Sequence, residues 1–114
     1  MTHMNDILLV LTNVPDDDAT GEHIARRLVE ARLAACVNLL PAGRSIYRWQ
    51  GAVEQAREVT LLIKTSVQRY SQVEAAIKSM HPYDVPEIIA LPVTAGWPAY
   101  LDWVAMETQR DLNV

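Results

Sequence analysis

Apolar residues along this chain recur with two periods, and the alternation between them outlines the fold. Ile7 to Leu11 is an unbroken apolar run bounded by Asp6 and by the polar stretch Asn13 to Asp18, which predicts a buried strand followed by a loop. Asp16, Asp17 and Asp18 then supply capping oxygens and negative charge for a helix N-terminus, and Ile24, Leu28, Ala31 and Ala35 follow at i, i+4, i+7 and i+11. A helix from about Ala19 to Leu33 results. Cys36 to Leu40 is apolar again, Pro41-Ala42-Gly43 interrupts it, and Ser45 to Trp49 resumes, which reads as one long bulged strand. After a turn at Gln50-Gly51, Glu54 to Thr65 alternates Val59, Leu61 and Ile63 with Thr60, Leu62 and Lys64, completing a hairpin. Ser66 is placed to cap the next helix, whose stripe is Tyr70, Val73, Ile77 and Met80. Glu87 to Val93 is the next strand, and Pro98, at a first helical position, opens a short helix carrying Leu101, Val104 and Ala105, flanked by Tyr100 and Trp103.

The order is βαββαβ plus one helix. This is the α+β, split βαβ arrangement of ferredoxin-like domains, an antiparallel sheet with both main helices on one face. Such a sheet should alternate apolar with polar residues, yet Ile7 to Leu11, Val59 to Ile63 and Ile88 to Leu91 are apolar at nearly every position. The second face therefore needs cover, and one short helix hides about a third of it. The pattern predicts an oligomer packed sheet against sheet, with the long outer strand protected by pairing to a neighbour.

Composition narrows the partners. With 114 residues, half of them hydrophobic, and no repeat or low-complexity linker, residues 1–114 read as a single domain. A net charge of -4 and no clustered Lys and Arg argue against nucleic acid or an anionic membrane surface. A lone cysteine forms no internal disulfide, and no leader or spanning segment is visible, so a reducing, cytoplasmic setting is expected.

The candidate chemistry centres on His81-Pro82-Tyr83-Asp84-Val85-Pro86-Glu87-Ile88, where two prolines fix the backbone between helix and strand. Five segments in order, Ala34-Ala35-Cys36-Val37-Asn38, Ser45-Ile46-Tyr47-Arg48-Trp49-Gln50-Gly51, Glu58 with Leu62-Ile63-Lys64-Thr65, the proline loop itself, and Tyr100-Leu101-Asp102-Trp103, resemble the successive motifs of the CutA divalent-cation tolerance proteins. The resemblance implies a tight homotrimer, PII-like in architecture, with hairpins exchanged between neighbours, and a response to copper and other divalent cations. His81 matches a copper-ligand position of that family. The chain carries Thr12 where some members have cysteine and Met80 where some have a second histidine.

Read as chemistry, Cys36 and His81 are donor types for copper or another divalent metal. Cys36 is either such a ligand or a small core residue, His81 either a ligand or a helix C-terminal cap, and Met80 is core. His3 and His23 are surface residues. Tyr47 and Trp49 share one face of the hairpin and either wall a cleft or anchor the trimer. Lys64, in an apolar strand, calls for an acid, Glu58 or Glu87. Lys64, Tyr83, Glu87 and His81 converging at a subunit boundary would make a polar pocket for a small anion or a metal. The leading expectation is a trimeric, cation-binding, non-enzymatic protein, since no nucleophile and base are paired and no glycine-rich phosphate loop is present. The alternative is a PII-like signalling module binding a small ligand between subunits.

Overall fold

The computed structural model describes residues 6–109. Strands β1 (Ile7–Pro15), β2 (Cys36–Leu39), β3 (Gly43–Trp49), β4 (Ala52–Ser66) and β5 (Ile88–Pro92) alternate with helices α1 (Thr20–Glu30), α2 (Tyr70–Met80) and α3 (Pro98–Glu107). The sheet order is β2-β4-β1-β5, every neighbour antiparallel, with β3 continuing along β4 beyond the end of β2. This is the predicted ferredoxin-like arrangement.

Register explains the two faces. Val10 opposes Ile63, Thr12 opposes Leu61 and Val14 opposes Val59, so these residues point together toward α1 and α2. Ile24 and Leu28 of α1 and Val73 and Ile77 of α2 meet them there, all fully buried. The opposite face carries Leu9 against Lys64 and Leu91, and Leu11 against Leu62 and Ile89. Helix α3 covers one end of it, where Leu101 and Val104 pack on Ile7. Ile89 and Leu91 stay 50% and 46% exposed. One face is a closed core and the other is an apolar surface covered in part, as the strand pattern required.

The outer strand is two strands joined by a bulge rather than one. Leu39 opposes Leu61 while Gly43 opposes Glu58, so four steps on one side answer three on the other. That extra residue, at Pro41-Ala42, reverses which side chains point to which face. Tyr47 and Trp49 are thereby aligned with Glu54 and Ala52, on the same face of β4 as Glu58. The hairpin closes in two residues, Gln50 and Gly51, both at positive φ (49° and 84°), the geometry that follows the strand twist. It stands out from the body: the radius of gyration is 15.0 Å, against about 13 Å for a compact chain of this length.

Other local departures have clear causes. β1 runs to Pro15, four residues past the apolar run, because Thr12 to Pro15 find partners on β4 at Leu61 to Glu58. α1 ends at Glu30 because Arg32 adopts a left-handed φ of 59° and the amides of Arg32 and Leu33 return to the carbonyls of Val29 and Leu28. Arg32 then reaches the Met106 carbonyl at the end of α3. Asp17 is the acid that caps α1, accepting the Ala19 and Thr20 amides and the Thr20 hydroxyl. Ser66 does not cap α2: a 3-10 turn, Val67–Arg69, intervenes, and the Ser66 hydroxyl accepts from Thr108 instead.

Candidate functional site

The proline loop is fastened to β1 by histidine. Pro82 pushes His81 out of the helix into extended backbone, while its amide still closes the last turn of α2 on Ile77. The Tyr83 amide donates to His81 Nδ1 at 3.2 Å, so that nitrogen carries no proton, and Nε2–H donates to the Asn13 carbonyl at 2.7 Å. With the residue 8% exposed, both ring nitrogens are in use. The Tyr83 ring lies 4.7 Å from the imidazole, and its hydroxyl donates to Glu58 Oε2 at 2.8 Å. Burial first, and then Glu58, push the Tyr83 hydroxyl up to about 12.

Asn13 joins the pieces. Its carbonyl holds His81, its amide Nδ2 donates to Glu87 Oε1 at 3.0 Å, and its Oδ1 accepts from Thr60 at 2.6 Å. The sequence offered no sign of this role, because Asn13 stands at the head of an acidic stretch that reads as a loop; its strand position depends on Thr60 of β4, 47 residues away. Glu58 is buried beneath Tyr83, and its place on the face shared with Tyr47 follows from the bulge.

Between the hairpin and the loop lies a cleft of about 810 Å³. Tyr47 and Trp49 wall one side, Tyr83, Asp84 and Glu87 the other, and Glu58 and Asn13 line it between them. Three carboxylates face a single lining guanidinium, Arg48, among the described residues, so the cleft is acidic.

Lys64 is not part of this group. It sits four positions along β4 from Thr60, opposite Cys36, roughly 13 Å away by strand rise. Its ammonium donates to Asn38 Oδ1 and lies 3.9 Å from the Cys36 sulfur. The acid expected for it is absent from that position because register sets both candidates elsewhere: Glu58 lies back along β4 under Tyr83, and Glu87 precedes β5 beside Asn13. Tyr100 completes this second cluster; burial first, then the neighbouring Cys36, raise its hydroxyl above the usual value. Of the pocket expected from sequence, Tyr83 and Glu87 line this cleft, His81 stands behind Tyr83 outside the lining, Lys64 lies elsewhere, and Cys36 and His81 stand apart within one subunit. No three His, Cys, Asp or Glu side chains among the described residues converge closely enough to hold a metal. Nor is any described helix long and apolar enough to cross a membrane.

Fold and cleft together define a ferredoxin-like subunit with a projecting hairpin and an acidic, histidine-braced cleft at its base. The solved structure of the PII-like protein CutA from Nostoc sp. PCC 7120 superposes on it with a TM-score of 0.83 at 41% identity, covering 90% of this chain and 97% of that one. The solved divalent cation tolerance protein from Thermus thermophilus superposes with a TM-score of 0.87 at 46% identity, over 90% and 99% of the two chains. The curated divalent-cation tolerance protein CutA of Thermus thermophilus is 47% identical over 100 residues, 88% of this chain and 96% of the relative. The model of the CutA1 divalent ion tolerance proteins matches residues 8–107. This chain belongs to the CutA1 family.

Proposed function

We propose that this divalent-cation tolerance protein works as a homotrimer that binds cations rather than as an enzyme, in a reducing, cytoplasmic setting, with the cleft as its cation-responsive site. The observation that carries the reading is the charge of the cleft, where Glu58, Asp84 and Glu87 face Arg48. Lys64, the cation that would have favoured an anion, lies outside the cleft's lining. Oligomerisation is supported by the apolar sheet face and by a hairpin whose Ile46 and Val53 are 69% and 66% exposed. A trimer also resolves the metal chemistry. The candidate donors for a copper or zinc ion are Glu87, in the lining of the cleft, His81, behind Tyr83, and Cys36, which lies outside the cleft beside Lys64 and joins them only from another copy. His81 ligates only after giving up the Tyr83 amide or the Asn13 carbonyl. Lys64 acts beside Cys36 as a neighbour of the thiol, and Tyr83 acts by holding Glu58 in place.

Isothermal titration of Cu²⁺ and Zn²⁺ into the wild-type protein and into the His81→Ala, Cys36→Ser and Glu87→Gln variants tests this. Weakened binding in at least one variant supports the assignment. Isotherms identical to wild type in all three would remove these residues as ligands.

A further inference from the structure

We propose that the arginine-bearing face of the hairpin docks on the proline loop of a second copy of this chain, pairing Arg44 of one copy with Asp84 of the next. This rests on the trimer reading above and goes beyond it by naming the two surfaces that meet. Arg44 and Ile46 are two apart on β3 and so point to one face, with Arg57 and Gln55 directly opposite them on β4 and Val53 two residues before Gln55. Arg44 therefore faces Arg57, a like-charge pair that destabilises neighbouring strands. Arg57 is relieved by Asp16, whose carboxylate lies 3.3 Å from its Nε. Arg44 is exposed and has no carboxylate partner among the described residues. A chain of net charge -4 thus sets two arginines side by side on a projecting hairpin, and its own body supplies an acid to one of them.

The apolar residues point to the same pairing. Val85, Ile46 and Val53 are the most exposed branched aliphatic side chains among the described residues. Two of them lie on the arginine face of the hairpin. The third stands on the proline loop next to Asp84, which is exposed and has no hydrogen bond or ion pair among the described residues. Each surface sets an unpaired charge beside an exposed apolar side chain, and the two charges are opposite in sign, which is the complementarity that fixes register between partners. Pro82, Pro86 and the His81 bonds hold the loop in shape before it meets a partner, so little ordering is lost on docking. Glu58 and Glu87, bonded by Tyr83 and Asn13, remain to the cleft. Because the two surfaces differ, the contact is head-to-tail, the kind that closes copies into a ring.

The test is thermal unfolding of the full chain, with sedimentation equilibrium in graded urea, for wild type, Arg44→Glu, Asp84→Lys and the two substitutions combined. Within one hairpin Arg44→Glu turns a like-charge pair into an opposite one with Arg57, so a solvated hairpin would gain stability from it. The docked hairpin gives the opposite sign. Arg44→Glu and Asp84→Lys should each lower the melting temperature and raise the dissociation constant of the subunits at least roughly tenfold, because like charges then meet at every contact. The double variant restores the attraction with its polarity reversed and should recover most of the loss. A melting temperature raised or unchanged in Arg44→Glu, or a double variant as weak as the two single losses combined, would overturn the proposal and leave the trimer standing. Wild type sedimenting as a single chain would sink the trimer reading itself, and this contact with it.

Discussion

Replacing Tyr83 by phenylalanine isolates one hydrogen bond of the cleft and has a signature in pH. The ring stays against His81, while Glu58, which is buried, loses the hydroxyl that donates to it at 2.8 Å. The Tyr83 hydroxyl titrates near 10 when free and is pushed up to about 12 in the folded chain, by burial first and Glu58 second. At full value two units correspond to about 2.7 kcal/mol. Because Tyr83 is 37% exposed, solvent screening reduces this to roughly 1 kcal/mol. The folded value lies above the unfolded one, so the contribution is complete below about pH 10 and is lost as pH rises through about 12. Tyr83→Phe should therefore unfold about 1 kcal/mol more easily than wild type in urea at neutral pH, with the gap closing in strong alkali. Tyrosinate absorbance, wild type minus variant, should show a single step with its midpoint near 12. A step near 10, or a stability gap unchanged across that range, would refute the account of a partly buried hydroxyl bonded to Glu58.

Three further substitutions probe the cap, the core and the interface. The Thr12 hydroxyl is buried on the helix face with no hydrogen-bond partner among the described residues, so Thr12→Val should stabilise the protein by about 1 kcal/mol, and a lowered melting temperature would contradict this. Asp17→Ala should lower the melting temperature at neutral pH. The Thr20 bonds hold the Asp17 carboxyl below its usual value, so its contribution exists above about pH 4 and disappears as pH falls through the depressed value; a deficit that persists in acid would argue against the cap. Ile46→Glu places a charge on the exposed apolar hairpin, forfeiting about 2 kcal/mol of burial at each contact it makes with another copy. Size-exclusion chromatography should show the mass fall, and an unchanged elution volume would place Ile46 outside the interface.

Periodicity carried most of the architecture, because each element signals through residues close in sequence. The stripe Tyr70, Val73, Ile77 and Met80, the punctuation of His81-Pro82 and Pro98 at the head of α3 all have local causes, and each lies where the pattern placed it. What escaped is non-local. Asn13 is a strand residue because β4 pairs with it, and no neighbour in sequence announces that. The helix that Ser66 was expected to cap is displaced by a 3-10 turn, and the serine is claimed by Thr108, over forty residues away. Lys64 in an apolar strand was legible as needing a partner. That the partner is Asn38, on β2, depends on the register of a strand whose neighbour is interrupted by a bulge. Tyr83 and Glu87 were legible as neighbours and do line one cleft, His81 braces their loop from outside the lining, and the cleft's electrostatic sign was not legible, because that sign turns on where Lys64 falls along β4.

The claim on which the proposed cation site depends is that copies of this subunit cover one another's exposed sheet face and hairpin. Sedimentation equilibrium at micromolar concentration tests it most directly: three chains of 12.8 kDa should give a particle of about 38 kDa. A stable, soluble species of 12.8 kDa would contradict it.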